Sequence, residues 1–195
     1  MRARRAQETR AAVMAAAAEL FTANGWAATG MRDVARAAGV ATETVYSHFS
    51  SKRVLLQAVI DVAAVGDEEQ VPVAQRDEFA ALGTGRRTER IAKAAALVRS
   101  VHERTAAYAE VLREAAPGDE QIAEALQATR ARQRQDVEAG AALLMGRAPT
   151  TAEVDELWAL LSPEVYLLLV HETGWTPDAY ERWVATTLER VVPRA

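Results

Sequence analysis

The three histidines, His48, His102 and His171, are the side chains of this sequence best suited to acid–base or metal chemistry. His102 and His171 each precede a glutamate, but neither is followed by a second histidine at the spacing of zinc proteases. The absence of cysteine excludes thiol nucleophiles, thiolate metal sites and disulfides. Neither a G-x-S-x-G nucleophile elbow nor a P-loop occurs. The sequence therefore predicts no enzyme, metal or cofactor, and a His–Glu acid–base pair is the catalytic alternative that stays open.

Short polar side chains are concentrated between Gly39 and the serine pair at positions 50 and 51. If this stretch is a helix of about two turns, Val45 faces a core and most other side chains face outward. Such polar groups can bond to base edges and to DNA phosphates. The outward side chains are Thr42, Glu43, Thr44, Tyr46, Ser47 and His48.

Charge is distributed unevenly along the chain. Residues 1–60 carry eight Lys and Arg against four Asp and Glu, whereas the remaining residues carry 15 against 23. The net charge of -4 therefore combines a basic head with an acidic body. This asymmetry suggests that one end of the chain meets a polyanion.

The composition is that of a globular helical protein. Of 195 residues, 50% are apolar and 26% are charged, and alanine dominates while β-branched residues are sparse. No convincing run alternates apolar with polar residues, so the expected class is all-α. No uncharged apolar run reaches the roughly 18 residues of a membrane span, and the arginine-rich start lacks the features of a signal peptide. We therefore expect a cytoplasmic protein with no membrane contact.

The first sixty residues predict four helices, at about 6–24, 29–38, 41–48 and 52–64. Gly25 and Gly39 are expected to end the first two, while Thr29 and Ser51 are expected to cap the second and the fourth. Two short helices joined by a glycine turn bury little alone and must pack across a longer one, which is helix-turn-helix geometry. Their predicted core is Val34, Ala35, Ala38, Val40 and Val45, closed by Phe49.

Residues 66–85 form the least regular stretch, with the acidic triplet 67–69 followed by a proline and two glycines. We place the domain boundary here, with a DNA-binding domain at 1–64 and a helical regulatory and dimerisation domain at 65–195. About nine helices are expected in all. The later helix starts are signalled by Thr88, Asp119, Thr150 with Glu153, Ser162-Pro163 and Thr176-Pro177.

The stretch from Thr9 to Ile60 resembles the DNA-binding domain of the tetracycline-repressor (TetR) family of transcriptional regulators. The resemblance depends on Leu20-Phe21, Asn24-Gly25-Trp26, Thr29, residues 31–35, Ala38-Gly39-Val40, residues 44–52 and Leu55-Leu56. It covers about a quarter of the chain. One departure is Ala41, where the family usually has a serine that caps the recognition helix, so the start of this helix is expected to be frayed or to order on DNA.

The resemblance and the chemistry together assign roles on double-stranded DNA. The N-terminal residues of a recognition helix reach base edges, so Thr42, Glu43 and Thr44 are expected to read bases. Glu43 has two possible roles, since it can accept from cytosine or repel phosphates. Backbone contacts are expected from Thr29, Arg32, Tyr46, Ser47, His48 and Lys52, with Arg32 also able to reach a base. Arg2, Arg4 and Arg5 are expected in a solvated tail, with entry into a minor groove as the alternative.

The resemblance also implies a homodimer and a small-molecule pocket. The last two helices would form a four-helix bundle across a twofold axis, with Val165, Leu169, Trp183, Val184, Leu188 and Val191 expected at the interface. The pocket would take a small apolar or weakly polar effector, because few basic side chains point inward. Its candidate lining residues are His102, Tyr108, Met145, Trp158, Tyr166 and His171.

These features predict a ligand-responsive transcriptional regulator, most simply a repressor that binds a near-palindromic operator and is released by an effector. The alternative is a helical protein-interaction module whose DNA binding is secondary. The acidic body and its large apolar helices suit that alternative equally.

Overall fold

A computed structural model describes residues 2–66 and 72–193, and within these ranges the chain is all-helical. The N-terminal part consists of α1 (Arg2–Asn24), α2 (Met31–Ala37), α3 (Thr42–His48) and α4 (Lys52–Val65). The remainder contains a short α5 (Asp77–Ala80), then α6 (Arg87–Ala115), α7 (Glu120–Met145), α8 (Thr151–Leu160), α9 (Pro163–Tyr166) and α10 (Pro177–Val191). The predicted all-α class with an N-terminal helix-turn-helix is confirmed. The acidic triplet 67–69 lies outside the described residues.

Most predicted helix ends are confirmed by their hydrogen bonds. Gly25 follows α1 with a φ of 74°, the left-handed conformation that glycine adopts without strain. Asp119 accepts from the amides of Gln121 and Ile122 at 3.0 and 3.2 Å, which caps α7. Residues 150 and 153 form the predicted capping box. The side chains of Ser51, Ser162 and Thr176 accept amides at the starts of α4, α9 and α10.

Three boundaries differ from the predictions. Helix α1 begins at Arg2 rather than at about residue 6, and Arg4 pairs with Glu8 at 3.3 Å within it, so the described arginines lie on a helix and not in a tail. Gly30 rather than Thr29 is the N-cap of α2, because the Asp33 carboxylate accepts the Gly30 amide at 3.1 Å. Helix α6 begins one residue before Thr88.

The segment after α9 continues as a π-helix, Leu167–Glu172, which sequence periodicity does not predict. A π-helix bonds residues five apart, is rare, and frequently occurs at functional sites. It changes which of its apolar side chains face inward: Leu167 is buried whereas Leu168 is 51% exposed.

The chain divides into two compact units. The first comprises residues up to Ala63 together with Ala107–Leu126, and the second comprises Ala64–Ala106 and the chain from Gln127 onward. The core of the first unit contains four of the predicted helix-turn-helix residues, and Ala38 and Val40 are partly buried against it. It also contains Val111, Leu112 and Ile122. Parts of α6 and α7 therefore pack with the helix-turn-helix.

The second unit has its own core of aliphatic and aromatic side chains. Its largest fully buried members are Tyr180, Ile91, Leu157 and Leu188. Val184 and Leu188, both expected at a dimer interface, are buried in this core within a single chain, with Leu188 only 1% exposed. Among the helices of the described ranges, none is long and apolar enough to cross a membrane.

Candidate nucleic-acid interface

The α2–α3 turn places the two short helices against each other. Gly39 has a φ of 67°, which an L side chain rarely adopts, and it lies between the two helices. The Val40 amide then donates to the Ala35 carbonyl at 3.0 Å, which closes the turn. Val34, Ala35 and Val45 are buried on the facing sides. The small alanine side chain lets the helices approach closely, so the opposite face of α3 is fixed as an outer surface.

The outer face of α3 carries the predicted reading residues. Tyr46 is 52% exposed, whereas the neighbouring Val45 is buried in the core. Glu43 and Ser47 are exposed, and Thr42, Thr44 and His48 are half-buried. The Ser47 hydroxyl donates to the Thr44 carbonyl at 2.7 Å. All six residues belong to one short helix in which Val45 is the buried residue, and a helix with exposed polar side chains suits a major groove.

The start of α3 has no side-chain cap. Ala41 is the N-cap residue and has no side-chain hydrogen bond to the first turn. The backbone N–H groups in the first turn of α3 can therefore donate to water or to an anion. The missing cap follows from alanine standing in place of a capping serine. The helix is nevertheless formed from Thr42 onward, with the Thr44 amide 3.0 Å from the Ala41 carbonyl, rather than frayed at its start.

Thr29 lies inside the first unit rather than on its surface. The residue is 1% exposed, and its hydroxyl lies 3.0 Å from the Leu20 carbonyl and 2.9 Å from the Gly25 carbonyl. This hydroxyl ties the turn after α1 to the start of α2. The Thr29 side chain therefore does not belong to the exposed surface of the helix-turn-helix.

Lys52 is half-buried and bonded within the protein. Its Nζ donates to the Trp26 carbonyl at 2.8 Å and lies 3.8 Å from the centre of the Trp26 ring. Burial lowers the pKa of Lys52, and the negative charge of Asp119 partly opposes this effect. An ammonium group has three N–H donors, so donors remain for a phosphate.

Several cations near this surface were not singled out from the sequence. Arg10 of α1 lies over the Phe49 ring, 5.1 Å from its centre. Arg53 is exposed in the first turn of α4, which contains no acidic residue. Arg36 pairs with Asp33 at 3.3 Å on α2. Arg32, which the sequence analysis did single out, is exposed on the same helix. The excess of basic residues in positions 1–60 was the available signal, but it does not say which of them share a face.

Comparison with known proteins agrees with this geometry. Residues 13–59 match the sequence model described as bacterial regulatory proteins, tetR family. The regulator TtgR of Pseudomonas putida is 45% identical over 56 residues, which are 29% of this chain and 27% of TtgR. The regulator UidR of Escherichia coli is 38% identical over 55 residues, 28% of each chain. The chain thus matches little more than a quarter of the length of these relatives.

Two solved structures resemble the whole chain. A structure from Rhodococcus sp. described as a TetR-family transcriptional regulator has a TM-score of 0.64 at 19% identity and covers 95% of this chain and 100% of its own. The multidrug binding protein EbrR, solved with imidazole, has a TM-score of 0.61 at 22% identity and covers 96% of this chain and 92% of its own. At these identities the structural likeness shows the fold alone. The sequence similarity to the tetR family lies in the helix-turn-helix segment, residues 13–59.

In the second unit of the chain, two candidate effector residues lie together. His102 Nδ1 lies 2.9 Å from the Tyr180 hydroxyl, and the His102 ring centre lies 5.8 Å from that of Tyr166. The Tyr166 and Tyr180 rings meet edge to face at 4.9 Å. Burial lowers the pKa of His102 to about 4, although the charge of Glu164 opposes the shift. His102 is therefore neutral at pH 7 and can donate or accept a single hydrogen bond at each ring nitrogen.

The other candidate effector residues are more scattered. His171 is exposed, with its ring 6.0 Å from Tyr166, and Met145 and Trp158 are half-buried in the second unit. Tyr108 instead packs against the core of the first unit. Tyr180, which the sequence analysis did not include, lies at the centre of the aromatic group. Tyr180 lies on a strongly amphipathic helix and follows the first turn after the predicted cap. This position was the signal by which the sequence could have indicated it.

The outer face of α10 carries an open groove of about 420 Å³. Trp175 and Trp183 line it together with Thr176, Ala179, Arg182 and Thr186. Trp175 is 37% exposed, and the predicted interface residues Val165, Leu169, Trp183 and Val191 are half-buried. Large exposed apolar groups of this kind mark a contact surface more often than isolated leucines do.

Proposed function

We propose that this chain is a ligand-responsive transcriptional regulator that binds a near-palindromic DNA operator as a homodimer. In this proposal it represses transcription, and a small apolar or weakly polar effector releases it. Residues 1–64 serve DNA binding and residues 65–195 serve regulation and dimerisation. The observation that carries the proposal is the polar outer face of α3, held on a helix-turn-helix of the TetR family.

On DNA, Thr42, Glu43 and Thr44 read base edges because they lie in the first turn of α3. Tyr46, Ser47 and His48 contact the backbone further along the same helix. Arg32 and Lys52 contact phosphates from the starts of α2 and α4, since a cation beside free helix amides suits an anion.

The homodimer is proposed to form through the outer face of α10 and the adjoining π-helix. Leu168 and Trp175 are exposed there, and Trp183 lines the groove beside them. Val184 and Leu188 face the other way, into the chain's own core. A second copy related by a twofold axis would cover this surface and present two reading helices roughly 34–36 Å apart, one turn of DNA.

The effector is proposed to act on the aromatic group around His102. Helix α6 carries His102, and two residues later Arg104 donates to the Ala64 carbonyl at 3.0 Å, near the end of α4. A ligand that displaced His102 would shift α6 and thereby the end of α4. Linkage then requires DNA to weaken ligand binding by the same factor as ligand weakens DNA binding.

The test is to select duplexes from random-sequence DNA with the wild-type protein and to measure the affinity of variants for them. Thr42→Ala and Thr44→Ala should alter the preferred bases at a cost of about 1–3 kcal/mol per lost base contact. Tyr46→Ala should weaken binding to all sequences alike. Thr22→Ala, an exposed threonine on α1, is the control.

Selection of a defined near-palindrome by the wild type supports the proposal. Weak binding without sequence preference would contradict it and would favour the protein-interaction module. Unchanged base preference in both threonine variants would mean that α3 is not the reading helix.

A further inference from the structure

Arg10 is placed beside the end of the reading helix by an aromatic contact. It lies on α1, and its guanidinium carbon is 5.1 Å from the centre of the Phe49 ring. Phe49 directly follows α3 and is buried, so its ring is fixed in the core of the first unit. The guanidinium therefore has a fixed support at the C-terminal end of α3.

The guanidinium of Arg10 has no hydrogen-bond or ion-pair partner among the residues that the structure describes. By contrast, Arg4 pairs with Glu8 on the same helix, and Arg36 pairs with Asp33 on α2. Arg10 is half-buried, so part of its water has already been removed. A guanidinium carries five N–H donors in a planar fork, a geometry that matches phosphate oxygens.

Lys52, which also lies over an aromatic ring, is bonded differently. Lys52 already donates to the Trp26 carbonyl at 2.8 Å, and this bond fixes where its charge lies. Arg10 is fixed by its stacking on a ring, which leaves all its donors for an outside acceptor. Restricting the side chain in this way lowers the entropy lost when it binds an anion.

We propose that Arg10 is an additional phosphate-contacting residue of the DNA interface, positioned by Phe49 beside the end of α3. The proposal rests on the DNA-binding function proposed above and extends the interface from the helix-turn-helix to α1. The phosphate that it contacts flanks the bases read by Thr42 and Thr44, because Arg10 lies on α1 beside the C-terminal end of α3, whereas these threonines lie at its N-terminal end.

A purely structural role would have a different signature. Arg10 could cover the Phe49 ring, and its charge could complement the C-terminal end of α3. Either effect stabilises the folded protein, and neither depends on DNA or on the number of phosphates contacted.

The experiment compares Arg10→Met, which keeps an apolar cover over Phe49, with Arg10→Lys and with Arg113→Met. Arg113 is an exposed arginine of the same unit and is the charge-matched control. Affinity for a duplex selected by the wild type and for an unrelated duplex is measured between about 50 and 200 mM salt, because each phosphate contact contributes about 0.9 to the slope of log affinity against log salt. Thermal unfolding is recorded for each variant.

We expect Arg10→Met to lower the slope by about two on both duplexes, about 0.9 for each subunit of the proposed dimer, and to weaken binding roughly sixtyfold near 0.1 M salt. Arg10→Lys should keep the slope with an intermediate affinity, and Arg113→Met should match the wild type. An unchanged slope in Arg10→Met would overturn the proposal, and a lower unfolding temperature with that unchanged slope would assign the structural role. If the wild type bound neither duplex, the proposed function itself would fail.

Discussion

Replacing Thr29 by valine should destabilise the first unit without removing a DNA contact. Thr29 is 1% exposed, and its hydroxyl lies within hydrogen-bond distance of the Leu20 and Gly25 carbonyls. Valine has nearly the same shape, so little cavity forms, but a buried donor is lost. A neutral hydrogen bond contributes about 1 kcal/mol net, and acceptors left without a donor in the core raise the cost to about 1–3 kcal/mol. We expect a loss of about 1–2 kcal/mol in the free energy of unfolding.

The measurement is urea unfolding followed by circular dichroism, in which the midpoint falls while the slope with urea stays constant. Thr22→Val is the matched control, because the Thr22 hydroxyl also bonds to backbone carbonyls but on the exposed face of α1. This control should change the free energy of unfolding by less than about 0.5 kcal/mol. DNA affinity of folded Thr29→Val should equal that of the wild type. A variant with unchanged stability and weakened DNA binding would refute the reasoning, since Thr29 would then act at the surface.

Three further outcomes are expected. Leu188→Asp should unfold the chain, because it buries an unpaired charge at a cost of several kcal/mol, and sedimentation of a folded Leu188→Asp dimer would contradict this. Trp175→Asp should instead leave the helix content intact and dissociate the dimer. An intact Trp175→Asp dimer would contradict that expectation. Burial lowers the pKa of His102 to about 4, below its ordinary 6.5. The free energy of unfolding should therefore fall by up to about 3 kcal/mol as the pH falls from 6.5 toward 4. In urea unfolding, the free energy of unfolding of His102→Gln should fall less over the same range. The carboxyl of Glu153 should titrate well below its usual range by NMR because Arg147 and Thr150 hydrogen-bond to it, and an ordinary pKa for Glu153 would exclude the capping box in solution.

The sequence could predict those parts of the fold that depend on near neighbours in the chain. A cap bond joins residues two or three apart, so Ser51, Asp119, Thr150, Ser162 and Thr176 announce their helices without reference to the rest of the molecule. The helix-turn-helix is similar, because Ala35, Gly39 and Val45 lie within about ten residues and agree with one another. Its outer face follows once the inner face is known. For this reason the sequence alone predicts the polar row on α3.

The tertiary structure decided which apolar faces meet and which polar groups are buried. An apolar stripe predicts that a helix face is buried, but it does not show what buries it. Leu188 was therefore predicted at the dimer interface, although the chain's own core covers it. The sequence predicted Thr29 as a cap. The competing acceptors, the carbonyls of Leu20 and Gly25, come into reach of its hydroxyl only through the turn that follows α1. Three contacts join residues about 40 to 80 positions apart or more. They are the packing of residues 107–126 in the first unit, of Arg10 on Phe49 and of His102 on Tyr180. Such contacts are selected by packing of the whole chain, and no local pattern of residues encodes them.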